Sequence, residues 1–394
     1  MSHLDRRQVL KIFGALATAG ATGAIGGCGS GDGSGVEQPS GLRIKVGLIS
    51  PAIGPYASVG KDITQGFRLY LDTHRNLLGR HAVDLFIEDE GGTAASARAA
   101  VDALFKQEVV TIAGVANPAS LTAIRDEIEK AKIPLVSANA SPSSLASVYY
   151  IWRVSYVDGE AGRALAPYAA EKYDRAYLLY EDTSTARDEA SEFRKGFTDL
   201  GGTIVAEVKG TGSFDQRLSA VRFSGADVLF CAYAGDPAWQ MLTAFRDARM
   251  SIPLIGPGSL TESSRLATLV DKGGRVPANV LTAMNYAPDL DNDANRRFAS
   301  TYYDVYGTQP TAYAMQAYDS AAVLDNALRL VTGSRPTPAL LNRAFSDLGQ
   351  FESPRGTWAF NVNGTPQQKW YLRELRLDGQ LPANLVTTDL DTLS

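Results

Sequence analysis

The sequence predicts an α/β protein of two Rossmann-like lobes joined by a multi-strand hinge. Three observations predict it. Short β-branched runs alternate with helical patterns from Arg43 onward, which marks a doubly wound parallel sheet. That alternation starts a second time after Tyr149. A chain of 394 residues, 45% apolar and 21% charged, exceeds one ordinary core while remaining a folding composition.

In the first series, Ile44-Lys45-Val46-Gly47-Leu48-Ile49-Ser50 reads as a strand. A helix follows from Gly60, since Ile63, Phe67, Tyr70 and Leu71 share one face at the 3.6-residue period. Residues 83–87, 109–113 and 134–136 read as further strands. Between them, Ala97, Val101, Leu104 and Phe105 mark one helix and Leu121, Ile124 and Ile128 another. The second series has strands at 176–180, 204–208, 228–232 and 254–255. Its helices carry Phe193, Phe197 and Leu200, stopped by Gly201-Gly202, and then Met241, Leu242 and Phe245. From Val280 a strand leads into helical patterns at 293–306 and 311–332, with Asn292 or Asp293 as N-cap. Residues 358–362 and 370–375 flank Asn363-Gly364-Thr365-Pro366 and read as a hairpin, a tail that suits a chain crossing between lobes more than once.

The first forty residues read as an address. Asp5-Arg6-Arg7-Gln8-Val9-Leu10-Lys11 resembles a twin-arginine export signal, and Ala24-Ile25-Gly26-Gly27-Cys28 resembles a lipobox. Residues 1–27 are therefore expected to be a leader and Cys28 the lipidation site. Residues 28–42, rich in Gly and Ser, form a flexible tether that places the protein, exported and lipid-anchored, on the outer face of the cytoplasmic membrane. Past residue 30 no stretch is apolar enough to span a membrane.

Composition excludes several chemistries. Charges are interspersed around a net of −5, which disfavours nucleic acid. Once Cys28 is assigned to lipid, Cys231 in an apolar run has no disulfide partner and reads as a buried thiol. The three histidines, His3, His74 and His81, read as leader or surface residues. No G-x-S-x-G elbow, H-E-x-x-H, C-x-x-C pair or phosphate loop occurs in the mature chain, so no catalytic residue, metal or cofactor is expected. Glu88-Asp89-Glu90 reads as a solvated loop after a strand.

Three stretches carry a family resemblance across nearly the whole mature chain. Val46-Gly47-Leu48-Ile49-Ser50-Pro51-Ala52-Ile53-Gly54-Pro55-Tyr56-Ala57-Ser58-Val59-Gly60 looks like the first strand and ligand loop of the leucine/isoleucine/valine-type periplasmic binding proteins. Ile112-Ala113-Gly114-Val115-Ala116-Asn117 and Ile133-Pro134-Leu135-Val136-Ser137-Ala138-Asn139-Ala140-Ser141-Pro142 occupy that family's two ligand-contacting turns. Phe298-Ala299-Ser300-Thr301-Tyr302-Tyr303-Asp304-Val305-Tyr306-Gly307-Thr308-Gln309-Pro310 and Ala317-Tyr318-Asp319-Ser320 resemble its most recognisable stretch.

The resemblance implies a type I periplasmic binding protein fold, with one lobe from 43–155 plus 285–351 and the other from 156–284 plus 352–394. It implies a monomeric solute receptor working with ABC permease and ATPase subunits, or alternatively a ligand-sensing module of a signalling system. The solute would be an amino acid, an amide or an aromatic acid. In the first lobe the implied contacts are Tyr56 and Val59, Asn117 and Pro118, and Ala140 and Ser141, with free amides and the Ser120 hydroxyl available to a carboxylate. In the second lobe they are Thr185, Tyr233, Asp236 and Gly258, with Tyr286 and Tyr313 as further aromatic walls. The family's aromatic near Thr185 and its acid near Gly258 are absent, which argues against an ordinary branched-chain amino acid; Asp236 or Asp182 could take over the pairing with a ligand ammonium, and an uncharged or aromatic-acid ligand needs no such substitute.

Overall fold

The computed structural model describes residues 41–393 apart from 146, 264, 265, 272 and 334. The leader, Cys28 and nearly all of the tether lie outside the described residues. Elements run in the order β1 Arg43–Ser50, α1 Ala57–Thr73, β2 Leu77–Leu78, β3 His81–Asp89, α2 Ala94–Lys106, β4 Thr111–Gly114, α3 Pro118–Ala131, β5 Leu135–Ser137 and β6 Ile151–Arg153. The second series is α4 Glu160–Lys172, β7 Arg175–Tyr180, α5 Ser184–Asp199, β8 Thr203–Lys209, α6 Phe214–Phe223, β9 Val228–Ala232, α7 Gly235–Asp247, β10 Leu254–Pro257 and β11 Val280–Met284. The chain closes with α8 Asp293–Tyr306, α9 Ala312–Leu330, α10 Pro338–Ser346, β12 Ala359–Phe360, β13 Pro366–Asp378 and β14 Leu381–Leu393.

Two sheets result, one per lobe. The first has the order β2-β3-β1-β4-β5-β6, and the second β12-β13-β11-β10-β9-β7-β8 with β14 added on β13. The central strands read as unbroken apolar runs because helices cover both their faces; Val46, Leu48, Ile112 and Leu135 are fully buried, as are Leu178, Leu229 and Ile255. The sheets are mixed rather than purely parallel. β2 returns antiparallel onto β3, and β13 runs antiparallel to β11, β12 and β14. The expected hairpin is present but short, pairing Phe360 with Pro366 through a turn in which Gly364 takes φ +65°.

The chain returns to the first lobe late. Helix α9 lies against α1 so closely that a Cβ on Gly66 would meet the Ala314 carbonyl oxygen at 1.9 Å. Gly66→Ala is therefore expected to force the two helices apart and cost about 1–3 kcal/mol, read as a lowered urea midpoint. An unchanged midpoint would show that the two helices part at no cost. Three chain segments that pass between the sheets are knitted together: the Ser155 carbonyl accepts from Asn285 Nδ2 at 3.0 Å and Gln368 Nε2 at 2.7 Å. Arg355 Nη1 donates to the Val154 carbonyl at 2.7 Å, and its Nε lies 3.0 Å from Asp319 Oδ2 of α9.

Two polar expectations are corrected. His81 is buried at the start of β3, and His74 is stacked on Tyr70 at 3.9 Å rather than free at the surface. Glu90 is fully buried, not a solvated loop residue. Cys231 is a buried thiol, as expected. Asn292 caps α8 by accepting from Asn295 N at 2.8 Å.

Candidate ligand-binding cleft

Ligand sites of open α/β sheets lie beyond the carboxyl ends of the strands. Here both sheets direct those ends at one cleft of about 630 Å³. Its first-lobe wall is the β1–α1 loop and the start of α1, with Tyr56, Ser58 and Val59, together with Pro118 and Asn139. Its second-lobe wall follows β7, β9 and β10, with Glu181, Thr185, Tyr233, Asp236 and Ser259. Tyr156 and Asp158, on the segment crossing between the sheets, and Tyr313 of α9 complete it. Ser143 Oγ donates to Asp188 Oδ2 at 2.5 Å and joins the two lobes directly.

Of the residues expected to touch a ligand, the structure gathers Tyr56, Val59, Pro118, Thr185, Tyr233 and Asp236 around this space. It does not bring Asn117, Ala140, Ser141 or Gly258 to the wall. The Asn117 side chain is spent as the α3 N-cap, accepting from Ala119 N at 2.9 Å. Ala140 and Ser141 are fully buried; the Ala140 amide donates to the Val115 carbonyl, and the Ser141 carbonyl accepts from Asp158 N. Gly258 turns inward, since a Cβ there would meet the Met284 sulfur at 2.5 Å. Tyr286 is also core, donating to Asn295 Oδ1 at 3.0 Å, whereas Tyr313 does reach the cleft. Asp182 is exposed and paired with Arg187 at 2.7 Å, outside the cleft.

The amides expected to greet a carboxylate at the head of α3 are taken. Ala116 N donates to Glu90 Oε2 at 2.7 Å and Asn117 N to Glu90 Oε1 at 2.9 Å. Pro118 has no N–H to give. Glu90 thus occupies, from within the chain, the place where a ligand anion was expected.

Carboxylates also dominate the opposite wall, and most were not foreseen. Asp158 accepts from Thr185 Oγ1 at 2.8 Å, and burial, with Asp188 and Glu160 adding like charge, pushes its pKa up to about 7. Glu189 caps α4 by accepting from Gly162 N at 2.6 Å, and burial raises it to about 8. Glu181, the first residue after β7, is raised by burial. Tyr56 is pushed up to about 12 by burial and by the charges of Glu181, Asp158 and Glu90. Glu262 is already satisfied by Arg373 at 2.9 Å and Ala312 N at 2.6 Å. The position of Glu181 directly after a strand could have revealed it; Asp158, in the crossing segment, carries no such signal.

Among the described residues no group of His, Cys, Asp and Glu is arranged to hold a metal ion, and no helix is long and apolar enough to cross a membrane.

Comparison with known proteins gives one consistent result. The profile of the family described as "Periplasmic binding protein" matches residues 43–380. A Leu/Ile/Val-binding protein homolog of Brucella suis is 27% identical over 346 residues, covering 84% of this chain and 87% of the relative. The solute-binding protein of an ABC transporter from Rhodopseudomonas palustris BisB5, solved with 3,4-dihydroxybenzoic acid, superposes with a TM-score of 0.82 at 23% identity, covering 89% of this chain and 98% of the other. A second R. palustris solute-binding protein, solved with benzoate, gives 0.79 at 25% identity, covering 89% and 98%.

Proposed function

The chain belongs to the periplasmic binding protein family, and we propose that it is the solute receptor of an ABC importer, capturing a small polar solute and delivering it to permease and ATPase subunits. The amino acid, amide and aromatic acid classes frame the solute, since the Brucella relative is named for branched-chain amino acids and the R. palustris structures hold benzoates. One observation carries the proposal: a single cleft of about 630 Å³, the size of a small-molecule site, is walled by strand-end loops of both sheets. The lobes are taken as 43–155 plus 285–351 and 156–284 plus 352–394, turning about the segments near 155, 284 and 352. Closure is driven by the ligand's greater affinity for the closed form, and no bond is made or broken.

Residues 1–27 are proposed as a twin-arginine leader and Cys28 as the lipid attachment site, with 28–42 the tether; the support is the arginine pair and lipobox alone. A thermal-shift screen over the three solute classes is expected to find a compound that raises the melting temperature, because a ligand bound only to the folded state stabilises it. X-ray scattering with that compound at saturation should show a smaller radius of gyration than without it. An unchanged radius would remove closure from the proposal.

A further inference from the structure

We propose that closing the cleft takes up a proton at Asp158, so that the two lobes hold together more firmly in mildly acidic than in mildly alkaline surroundings. The inference rests on the solute-receptor reading and adds a control to its closing step.

Asp158 sits where the lobes meet. It lies on the segment that crosses between the sheets, and it lines the cleft. Its amide donates at 2.9 Å to the Ser141 carbonyl, in the turn after β5 of the first lobe. Its Oδ2 accepts from Thr185 Oγ1 of α5, in the second lobe, at 2.8 Å. The same turn and the same helix meet again where Ser143 Oγ donates to Asp188 Oδ2 at 2.5 Å. The loop before α1 also approaches the start of α7, since a Cβ on Gly235 would stand 3.8 Å from the Pro55 carbonyl oxygen. Enclosed by both lobes, Asp158 is 8% exposed. A carboxylate so enclosed loses its hydration, and the Thr185 hydroxyl replaces only part of it.

The titratable groups whose charges reach Asp158 come from several elements: Tyr56 of α1, Arg153 of β6, Tyr156 beside it, Glu160 of α4, and Asp188 and Glu189 of α5. Burial first, then Asp188 and Glu160, carry Asp158 up to about 7 against the pull of Thr185 and Arg153. Glu189 lines the cleft as well, but the bond it accepts from Gly162 N lies within the second lobe and survives a parting of the lobes. Asp158 is different, because parting the lobes admits water to it and returns it toward the ordinary carboxylate value near 4. Between about pH 4 and that folded value, the closed form holds a proton that the open form releases. Acid therefore favours closure; the advantage is complete below about pH 4 and is lost as the pH climbs through about 7.

X-ray scattering on the protein without added solute reads this directly. From about pH 5.5 to about pH 8 the closure equilibrium is expected to move toward the open form by about tenfold or more, seen as a larger radius of gyration. Asp158→Asn, neutral at every pH, should keep the smaller radius at both. Ser143→Ala removes the other cross-lobe bond, so it should enlarge the radius at both pH values and leave the response to pH in place. The inference is overturned if the unaltered protein keeps one radius across this range, or if Asp158→Asn responds as strongly as the unaltered protein. Should Asp158→Asn fail to fold, Thr185→Val decides: it removes a donor that favours the charged form, so the midpoint of the response should move to higher pH, and an unmoved midpoint overturns the inference. If Ser143→Ala enlarges the radius and pH does not, closure stands without the proton. If neither changes it, the inference falls, and scattering with the compound from the thermal-shift screen decides on closure by itself.

Discussion

Replacing Arg355 with methionine is expected to cost the fold about 3–5 kcal/mol, because it strips the partner from a carboxylate with no access to water. Arg355 and Asp319 are each 1% exposed in their side chains, 3.0 Å apart. Burial pushes the guanidinium down and the Asp319 carboxyl up, and the opposite charge of each partner works against that burial to keep the other ionised. The guanidinium also lies over the Trp358 ring at 4.0 Å and donates to the Val154 carbonyl, while Ser353 Oγ donates to Asp319 Oδ2 at 2.7 Å. Helix α9, the segment near 155 and the start of β13 meet at this one side chain. Denaturant unfolding checks the cost, and the double change Arg355→Met with Asp319→Leu should recover a large share of it, since no charge is then stranded. A single change within about 1 kcal/mol of the parent would mean that the pair contributes nothing net.

Raising the pH from about 5 to about 9 is expected to lower the melting temperature on the order of 5–10 °C. Four buried carboxyls sit well above the ordinary range: Asp62, Asp158 and Glu160 at about 7 and Glu189 at about 8, each raised first by burial. Between the unfolded value near 4 and those folded values, the native chain keeps protons that the unfolded chain releases. Their stabilising effect is thus complete below about pH 4 and is lost as the pH climbs through 7 to 8. Asp271, partly buried and lowered to about 2 by donors from Arg275, acts in the opposite sense but only below the ordinary carboxylate range. Calorimetric scans along a pH series give the slope, and Glu189→Gln should flatten its upper end. A melting temperature that rises between pH 6 and 9 would contradict the assignment.

Much of the fold could be read from the chain because its central strands are dense apolar runs and its longer helices carry a clear stripe. The elements that escaped lack those signals. Helix α4 is built from Ala, Gly and a Pro167 inside it, and it packs by close backbone approach at Gly162 rather than by large side chains. Strand β14, with Thr387-Thr388-Asp389 in its middle, is an edge strand with little apolar alternation. In the site, the strand-end rule found the right loops but not always the right side chain. Tyr56, Pro118 and Thr185 face the cleft, while Ser141 is buried behind it with its carbonyl held by Asp158 N, and the space a side chain would need at Gly258 is filled by Met284. The burial of Glu90 is not legible in the sequence, because an acidic triplet after a strand looks solvated; only the folded turn brings the two amides to it.

The order in which the chain visits its two sheets bears on synthesis. The strands of the first sheet all precede residue 154, yet the helix that covers α1 is not made until residue 330, and the second sheet then receives β13. At a translation speed of about 5–20 residues per second, a nascent chain holds the apolar face of Ile63 and Phe67 uncovered for on the order of ten seconds or more. Neither half is complete until the chain is nearly all made, so the newborn protein carries open apolar surface through most of its elongation.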